Sequence, residues 1–213
     1  MKHLIIAGPD CVGKNLLIKN IIKDFENITV RHFTVPKNLK PGEITNYWKD
    51  EYSHALHLVN HARKEEKCPH KLYVWNRSHI CETVYGPLYR NSNSEWIWKM
   101  EQFWDLDKED ETYLILLYAD PEFIVKQEDG ESISNELEKR QKEVQLYLEG
   151  FEKSIIKNKL KLKVNEGDEY VPAIGIWYKV SNFIHGLDID KIIAENSTSS
   201  HVEQLKALNR KEN

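Results

Sequence analysis

The stretch that decides the fold is "GPDCVGKN", residues 8–15, which has the spacing G-x-x-x-x-G-K. Two glycines let a backbone wrap closely around phosphate oxygens, and a lysine at this position can reach the outer phosphates of a nucleotide. Consecutive N–H groups and the positive end of the following helix complete such an anion site. Gly8, Gly13 and Lys14 supply these features, so the pattern predicts a phosphate-binding loop. The alternative is an ordinary strand-to-helix turn that contains two glycines.

The segments around this loop predict the fold class. "HLIIAG" before the loop is typical of a buried strand, and "KNLLIKNIIKDF" after it has apolar residues at helical spacing. Further strands are predicted at 28–36, 71–76, 112–120 and 159–164. Further helices are predicted at 44–67, 94–104, 134–154 (with Ser134 as its N-cap) and 171–184. This alternation predicts an α/β fold of three layers, in which helices cover both faces of a mostly parallel central sheet.

Length and composition agree with one domain at residues 1–187, followed by a polar tail at 188–213 that we expect to be partly helical or disordered. A net charge of −4 gives no general reason to expect nucleic acid as a partner. Lysines at 159, 161 and 163 could form a small patch for nucleic acid, but lysines also protect the edge strand of a sheet. The N-terminal apolar run is too short for a membrane span, and three widely spaced cysteines suggest a reducing cytoplasm.

Asn15 is the unusual residue of the loop. A Ser or Thr hydroxyl normally follows the lysine and ligates Mg²⁺. An amide oxygen can also ligate a hard cation, but the longer side chain must be turned correctly. The sequence therefore predicts weakened metal binding at this position.

A second motif, "NRSHICETVYGPLYR" at residues 76–90, follows the third predicted strand. The chain also contains "YADPEFI" at 118–124 and "ELEKRQKEVQLYLEGFEKS" at 136–154. Together with the "GPD" of the first loop, and in this order, these blocks resemble the thymidylate kinase-like branch of the P-loop kinases. They are most similar to the divergent kinases that large bacteriophages encode. The resemblance extends over about residues 1–185.

This resemblance implies a P-loop kinase fold and ATP-dependent phosphoryl transfer, with Mg²⁺, to a deoxynucleoside monophosphate such as dTMP or a modified pyrimidine nucleotide. Lys14 and Arg77 would be the catalytic residues. The residues implied in ATP binding are Gly8, Cys11, Val12, Gly13, Lys14, Asn15 and Leu16. The residues implied in acceptor binding are Asp10, Arg77, Tyr85 and Arg90. Kinases of this type often form homodimers, and a phage-encoded chain would work in the cytoplasm of its host.

Asn76 departs from the resembled pattern, which has Asp or Glu before the arginine. Both positions expected to serve the metal, Asn15 and Asn76, therefore hold an amide. The lid that closes over the phosphates would follow "YADPEF", and its candidate cations are Lys126, Lys139 and Arg140.

Several alternatives remain open at this point. Arg77 could be a structural arginine, Tyr85 a packing residue and Arg90 a solvated surface charge. The two amides could also mark a chain that binds nucleotide with weak or no catalysis. The acceptor could instead be a hydroxyl group of a nucleoside or of a DNA base.

Overall fold

The computed structural model describes residues 2–36, 38–64, 71–106, 111–130 and 132–186. The strands within this part of the chain are β1 (Lys2–Ala7), β2 (Ile28–His32), β3 (Leu72–Asn76), β4 (Thr112–Tyr118), β5 (Asn158–Lys163), β6 (Asn165–Glu166) and β7 (Glu169–Tyr170). The helices are α1 (Lys14–Asp24), α2 (Pro41–Lys64), α3 (His79–Tyr89), α4 (Trp96–Phe103), α5 (Pro121–Lys126), α6 (Leu137–Lys153) and α7 (Ala173–His185).

Five parallel strands form the central sheet, in the order β2-β3-β1-β4-β5, and helices flank it. β1 lies in the middle, where Ile5 is in register with Trp75 of β3 and with Leu114 of β4. Strands covered on both faces are apolar at successive positions, which explains the run "LIIA" in β1 and "LILL" in β4. The predicted α/β class with a parallel sheet is confirmed.

β5 is an edge strand of this sheet, and this position agrees with the interpretation that its lysines protect an exposed edge. Lys159 also stabilises the end of α6, because its ammonium donates hydrogen bonds to the carbonyl oxygens of Phe151 at 2.9 Å and Ser154 at 3.0 Å. Cations near the C-terminus of a helix interact favourably with the unpaired carbonyl groups there.

Two helices and a hairpin were not anticipated from the sequence. α3 is buried at every residue from His79 to Gly86, polar and apolar residues alike, so no exposed face runs along this part of it. α3 also contains Pro87, which is unfavourable inside a helix. Its start is capped by Ser78, whose hydroxyl accepts a hydrogen bond from the Ile80 N–H at 3.2 Å. α5 and the β6–β7 hairpin are too short for a periodic signal.

Ser134 is not the N-cap of α6, and that prediction was wrong. The helix begins at Leu137 after Glu136, and the Ser134 hydroxyl accepts a hydrogen bond from the Glu136 N–H at 3.2 Å before the helix starts. A short Ser turn ahead of a helix resembles a cap in sequence because both use the same local bond from backbone to hydroxyl.

A fully buried carboxylate connects α3 and α4 to the chain that follows α6. Glu101 of α4 is paired with His79 Nε2 at 2.7 Å and accepts hydrogen bonds from Ser154 Oγ at 2.8 Å and the Ile155 N–H at 2.9 Å. Burial acts to raise the pKa of Glu101, but these partners outweigh it and hold the pKa below its ordinary value. The network fixes the start of α3 and therefore the residues directly before it.

The chain divides into two compact units between Trp177 and Tyr178. The first contains both sheets. Within the second, the structure describes the last turns of α7, where the Asn182 amide donates to the Tyr178 carbonyl at 2.7 Å. The predicted boundary at 187/188 and the tail at 188–213 lie outside the described residues. None of the described helices has the length and apolar character needed to cross a bilayer.

Candidate functional site

One cavity of about 540 Å³, the main cavity of this site, lies at the carboxyl ends of β1, β2 and β3. Open parallel sheets bind their ligands at this edge. Its lining comprises the loop residues 10–15, residues 32–35 at the end of β2, Asn76 and Arg77 at the end of β3, and Asp129 and Ser132. The first predicted motif and the start of the second are thus brought together in one place.

The loop at residues 8–13 has the backbone that a phosphate site requires. Gly8 has φ 145°, and a Cβ there would lie 2.1 Å from the Leu117 carbonyl oxygen, so no other residue fits against β4. Gly13 has φ 76° directly before α1. Cys11, with φ 61°, occupies the same left-handed region without being glycine. Its carbonyl accepts a hydrogen bond from the Tyr170 hydroxyl at 2.7 Å.

The β6–β7 hairpin brings Tyr170 to the loop. Asn165 anchors this hairpin: its amide group donates to Asp120 Oδ2 at 3.0 Å and to the Gly167 carbonyl at 2.8 Å. The Tyr170 ring packs edge-on against Phe123, with 4.6 Å between ring centroids. The hairpin therefore holds one carbonyl of the loop in place.

Lys14 is folded back into its own loop. Its ammonium donates hydrogen bonds to the Gly8 carbonyl at 3.0 Å and to the Pro9 carbonyl, and lies 3.9 Å from Asp10 Oδ1. Burial lowers the pKa of Lys14, and Asp10 partly offsets that effect. Of the other residues predicted to contact ATP, Cys11, Val12, Gly13 and Asn15 line the cavity. Gly8 and Leu16 do not, and Leu16 is 49% exposed on α1.

The four residues predicted for the acceptor all line a second, smaller cavity of about 130 Å³. They are Asp10, Arg77, Tyr85 and Arg90. An Arg77 guanidinium N–H donates to Asp10 Oδ1 at 3.0 Å, and the Tyr85 hydroxyl lies 3.5 Å from Asp10 Oδ2. Burial opposes the charge of Arg77, but Asp10 outweighs this and raises the pKa of Arg77 above its ordinary value.

The other walls of the smaller cavity are aromatic. Phe33, Trp48 and Tyr52 line it, with 4.7 Å between the ring centroids of Phe33 and Tyr52 and 5.2 Å between those of Trp48 and Tyr52. The resemblance to the P-loop kinases implies that the region from Phe33 into Trp48 and Tyr52 lies on the acceptor side, and the three rings do line the cavity of the acceptor candidates. They belong to the β2–α2 connection and to α2, and only the folded chain shows which face of α2 turns toward the loop.

Arg90 is not a solvated surface charge. It is paired with Glu82, which lies two helical turns earlier, and both are largely buried beside the smaller cavity. Burial raises the pKa of Glu82, and Arg90 counteracts this. Glu82 was missed as a site residue because nothing in the motif distinguishes it from the polar face of a helix.

A cluster of Asn15, His32 and Asn76, which contains no carboxylate, occupies the position where the metal was expected. The Asn76 amide nitrogen donates to Asn15 Oδ1 and is bonded to His32 Nδ1, both at 2.8 Å. Asn76 is 7% exposed, and its Oδ1 has no hydrogen-bond partner. His32 was missed, although it ends β2 in register with Asn76. The pairing could have been expected if β2 and β3 had been placed side by side, because His32 and Asn76 are the last residues of these two parallel strands.

This cluster is a poor site for Mg²⁺. Mg²⁺ prefers carboxylate, phosphate and water oxygens in near-octahedral geometry. The cluster contains no carboxylate, and the Asn76 amide already occupies the acceptor atoms of Asn15 and His32. Among the described residues there is also no group of three or more His, Cys, Asp or Glu that could hold a metal ion.

The three lid candidates make ion pairs away from the main cavity. Lys126 is paired with Asp168 at 2.6 Å and Lys139 with Glu136 at 2.8 Å. Arg140 is fully buried between Glu128 and Glu143. Asp129 and Ser132 of the same segment do line the cavity. The segment is therefore next to the loop, but its cations are engaged with carboxylates in this conformation.

The sequence matches no protein-family model and no curated protein. The fold is similar to that of the YorR protein from Bacillus subtilis, in its crystal structure in complex with phosphorylated GDP. The TM-score is 0.56 at 14% sequence identity, over 86% of this chain and 98% of that one. At this identity the comparison establishes the shared fold.

Proposed function

We propose that this chain is an ATP-dependent kinase that transfers the γ-phosphoryl group to a deoxynucleoside monophosphate. The main observation in support is that Asp10 and Arg77 line both cavities. One contains a phosphate loop with its lysine, and the other contains an arginine, a carboxylate and aromatic walls. A phosphoryl donor and an acceptor placed in these cavities would face each other across the same two residues. The complex of YorR with a phosphorylated guanine nucleotide supports a nucleotide as ligand of this fold.

Lys14 is the residue that would take the donor phosphates. Its ammonium now bonds the carbonyls of Gly8 and Pro9, and a short rotation of a flexible side chain would bring it to the β and γ phosphates. The loop N–H groups and the start of α1 add positive potential at the same place. A divalent ion such as Mg²⁺, bound to the ATP phosphates and water, neutralises charge on the phosphates in such reactions.

Arg77 is the residue that would hold the acceptor phosphate. Its planar guanidinium can donate two parallel hydrogen bonds, which suits a phosphate better than a single ammonium does. Asp10 and Tyr85 would then face the sugar. Burial keeps the pKa of Tyr85 well above its ordinary value, so its hydroxyl stays a hydrogen-bond donor.

The smaller cavity favours a pyrimidine acceptor, dTMP-like or modified. Aromatic rings at its wall can stack on a base, and its volume of about 130 Å³ is a quarter of that of the main cavity. The buried Glu82 and Arg90 offer an acceptor and donors for the edge of the base.

The test is ADP release in the presence of ATP, Mg²⁺ or Mn²⁺, and a panel of deoxynucleoside monophosphates. Turnover with pyrimidine nucleotides supports the proposal. Measurable ATP binding without turnover on any acceptor, including free nucleosides, would refute kinase activity.

The cluster of Asn15, His32 and Asn76 favours a second candidate, a nucleotide-binding protein with weak or no catalysis. Asn15 and Asn76 supply no negative charge for a metal ion. If the double variant Asn15→Ser, Asn76→Asp has activity and the natural chain has none, the second candidate is correct.

A further inference from the structure

The Asn76 amide has the position and the bonds of a cation between two ligands. Its NH₂ group carries partial positive charge and has two hydrogens, and it is bonded to Asn15 Oδ1 and His32 Nδ1 at 2.8 Å each. Those two atoms are the acceptors that a metal ion in this corner of the cavity would use. They come from different elements, α1 and the end of β2, so the amide links the loop helix to the neighbouring strand.

The energetics of this arrangement disfavour exchange with a metal ion. A cation would have to break two partly buried hydrogen bonds, and it would gain no anionic ligand in return. The buried Oδ1 of Asn76 is the one unpartnered oxygen of the cluster. A neutral oxygen suits a water molecule or a hydroxyl donor and adds little to the binding of a hard divalent ion.

We propose that the Asn15–His32–Asn76 cluster replaces the protein's metal-ligating group, so that nucleotide binding at this loop is largely independent of divalent cations. The inference rests on the proposed function and concerns how its donor site binds. Lys14 and the loop N–H groups would supply the charge neutralisation in the ground state. A metal ion would then contribute to turnover through the nucleotide alone.

The experiment measures the Kd of ADP and of a non-hydrolysable ATP analogue by calorimetry, in EDTA and in Mg²⁺. The natural chain is expected to show a difference of less than about threefold between the two conditions. In Asn76→Asp a carboxylate replaces the amide, and Mg²⁺ is expected to tighten binding by about tenfold. The control Asn27→Asp makes the same charge change at an exposed residue beyond the opposite end of β2, and it should behave like the natural chain.

Each outcome decides the question. A tenfold or larger gain from Mg²⁺ in the natural chain would overturn the inference, and so would an Asn76→Asp variant that binds with no metal dependence. If Asn76→Asp fails to fold, Asn15→Asp introduces a carboxylate into the same cluster at an exposed position. Absence of nucleotide binding in both EDTA and Mg²⁺ refutes the proposed function itself.

A spectroscopic measurement on the natural chain gives a separate answer. With Mn²⁺ and nucleotide bound, pulsed electron paramagnetic resonance should show phosphorus and water-proton couplings. A nitrogen coupling that disappears in His32→Ala would mean that the imidazole ligates the ion, and the inference would fail.

Discussion

Lys14→Met separates the contribution of Lys14 to ligand binding from its contribution to the fold. Methionine keeps the length and the apolar stem of lysine and removes the ammonium. In the folded chain Lys14 is 7% exposed, and its ammonium is bonded to two carbonyls of its own loop. The variant loses these two hydrogen bonds. It also removes a buried charged group that burial disfavours, as the lowered pKa of Lys14 indicates. We expect the stability without nucleotide to change by no more than about 1 kcal/mol.

The effect on nucleotide binding should be much larger. A charged hydrogen bond contributes about 1.5–3 kcal/mol, so loss of the ammonium should weaken binding by about tenfold to a hundredfold. At a nucleotide concentration a hundred times the natural Kd, the natural chain gains about 2.7 kcal/mol. For a chain of this size that corresponds to an increase in Tm of about 5–10 °C. If the Kd rises a hundredfold, the same concentration gives about 0.4 kcal/mol, an increase of about 1 °C.

Thermal unfolding with and without nucleotide measures both the stability of the free chain and the increase in Tm that the nucleotide causes. Lys19→Met is the matched control, because Lys19 is an exposed lysine of the same helix. It should keep the full increase in Tm. An equal increase in Lys14→Met and the natural chain would refute the assignment of Lys14 to the phosphates. A loss of several degrees without nucleotide would show that Lys14 is mainly a structural residue.

Three further predictions concern the acceptor, the core and the loop. Arg77→Lys replaces a two-pronged donor by a single ammonium, so the Kd of the acceptor monophosphate should rise about tenfold while that of ATP is unchanged in calorimetry. Glu101→Gln removes a buried carboxylate that is hydrogen-bonded to three partners and should cost about 3 kcal/mol in urea unfolding; an unchanged midpoint would contradict this. Because folding lowers the pKa of Glu101, its ionised carboxylate stabilises the folded chain above the unfolded pKa near 4.3, and this stabilisation is lost as the pH falls. The free energy of unfolding of the Gln variant should lack that pH dependence. Tyr170→Phe removes one hydroxyl and should weaken nucleotide binding about fivefold, with Tyr178→Phe as the unaffected control; equal Kd values in both variants would show that the hairpin does not support the loop.

The sequence predicted those parts of the fold that local pattern determines. β1, β4 and the loop between β1 and α1 were recognisable because buried parallel strands are continuously apolar and the loop needs glycine at fixed spacing. α3 was not, because its polar residues His79, Glu82 and Thr83 are buried together with its apolar ones, so they do not mark a side that faces solvent. The cap at Ser134 failed because a local bond from backbone to hydroxyl does not by itself start a helix.

The residues inferred for the acceptor come from the two motifs, Asp10 from the first and Arg77, Tyr85 and Arg90 from the second, and the folded chain brings all four to one cavity. Their role in binding an acceptor stays a prediction. Partners from other segments were missed: His32 depends on the register of two strands, and Glu82 on which turn of α3 faces Arg90. The lid cations could not be placed from the sequence, because whether a cation is available depends on which carboxylates the folded segment brings to it.

The support of the phosphate loop by Tyr170 has a consequence for the order of folding. Cys11 and Tyr170 are 159 positions apart, and Gly8 is pressed against Leu117 of β4. A chain emerging from the ribosome therefore makes its loop sequence first but gives the loop its final shape only when β4 and the last hairpin have been synthesised. Such long-range contacts form slowly and late. Nascent chains that stop before the hairpin should carry the whole glycine-lysine motif and still bind nucleotide weakly.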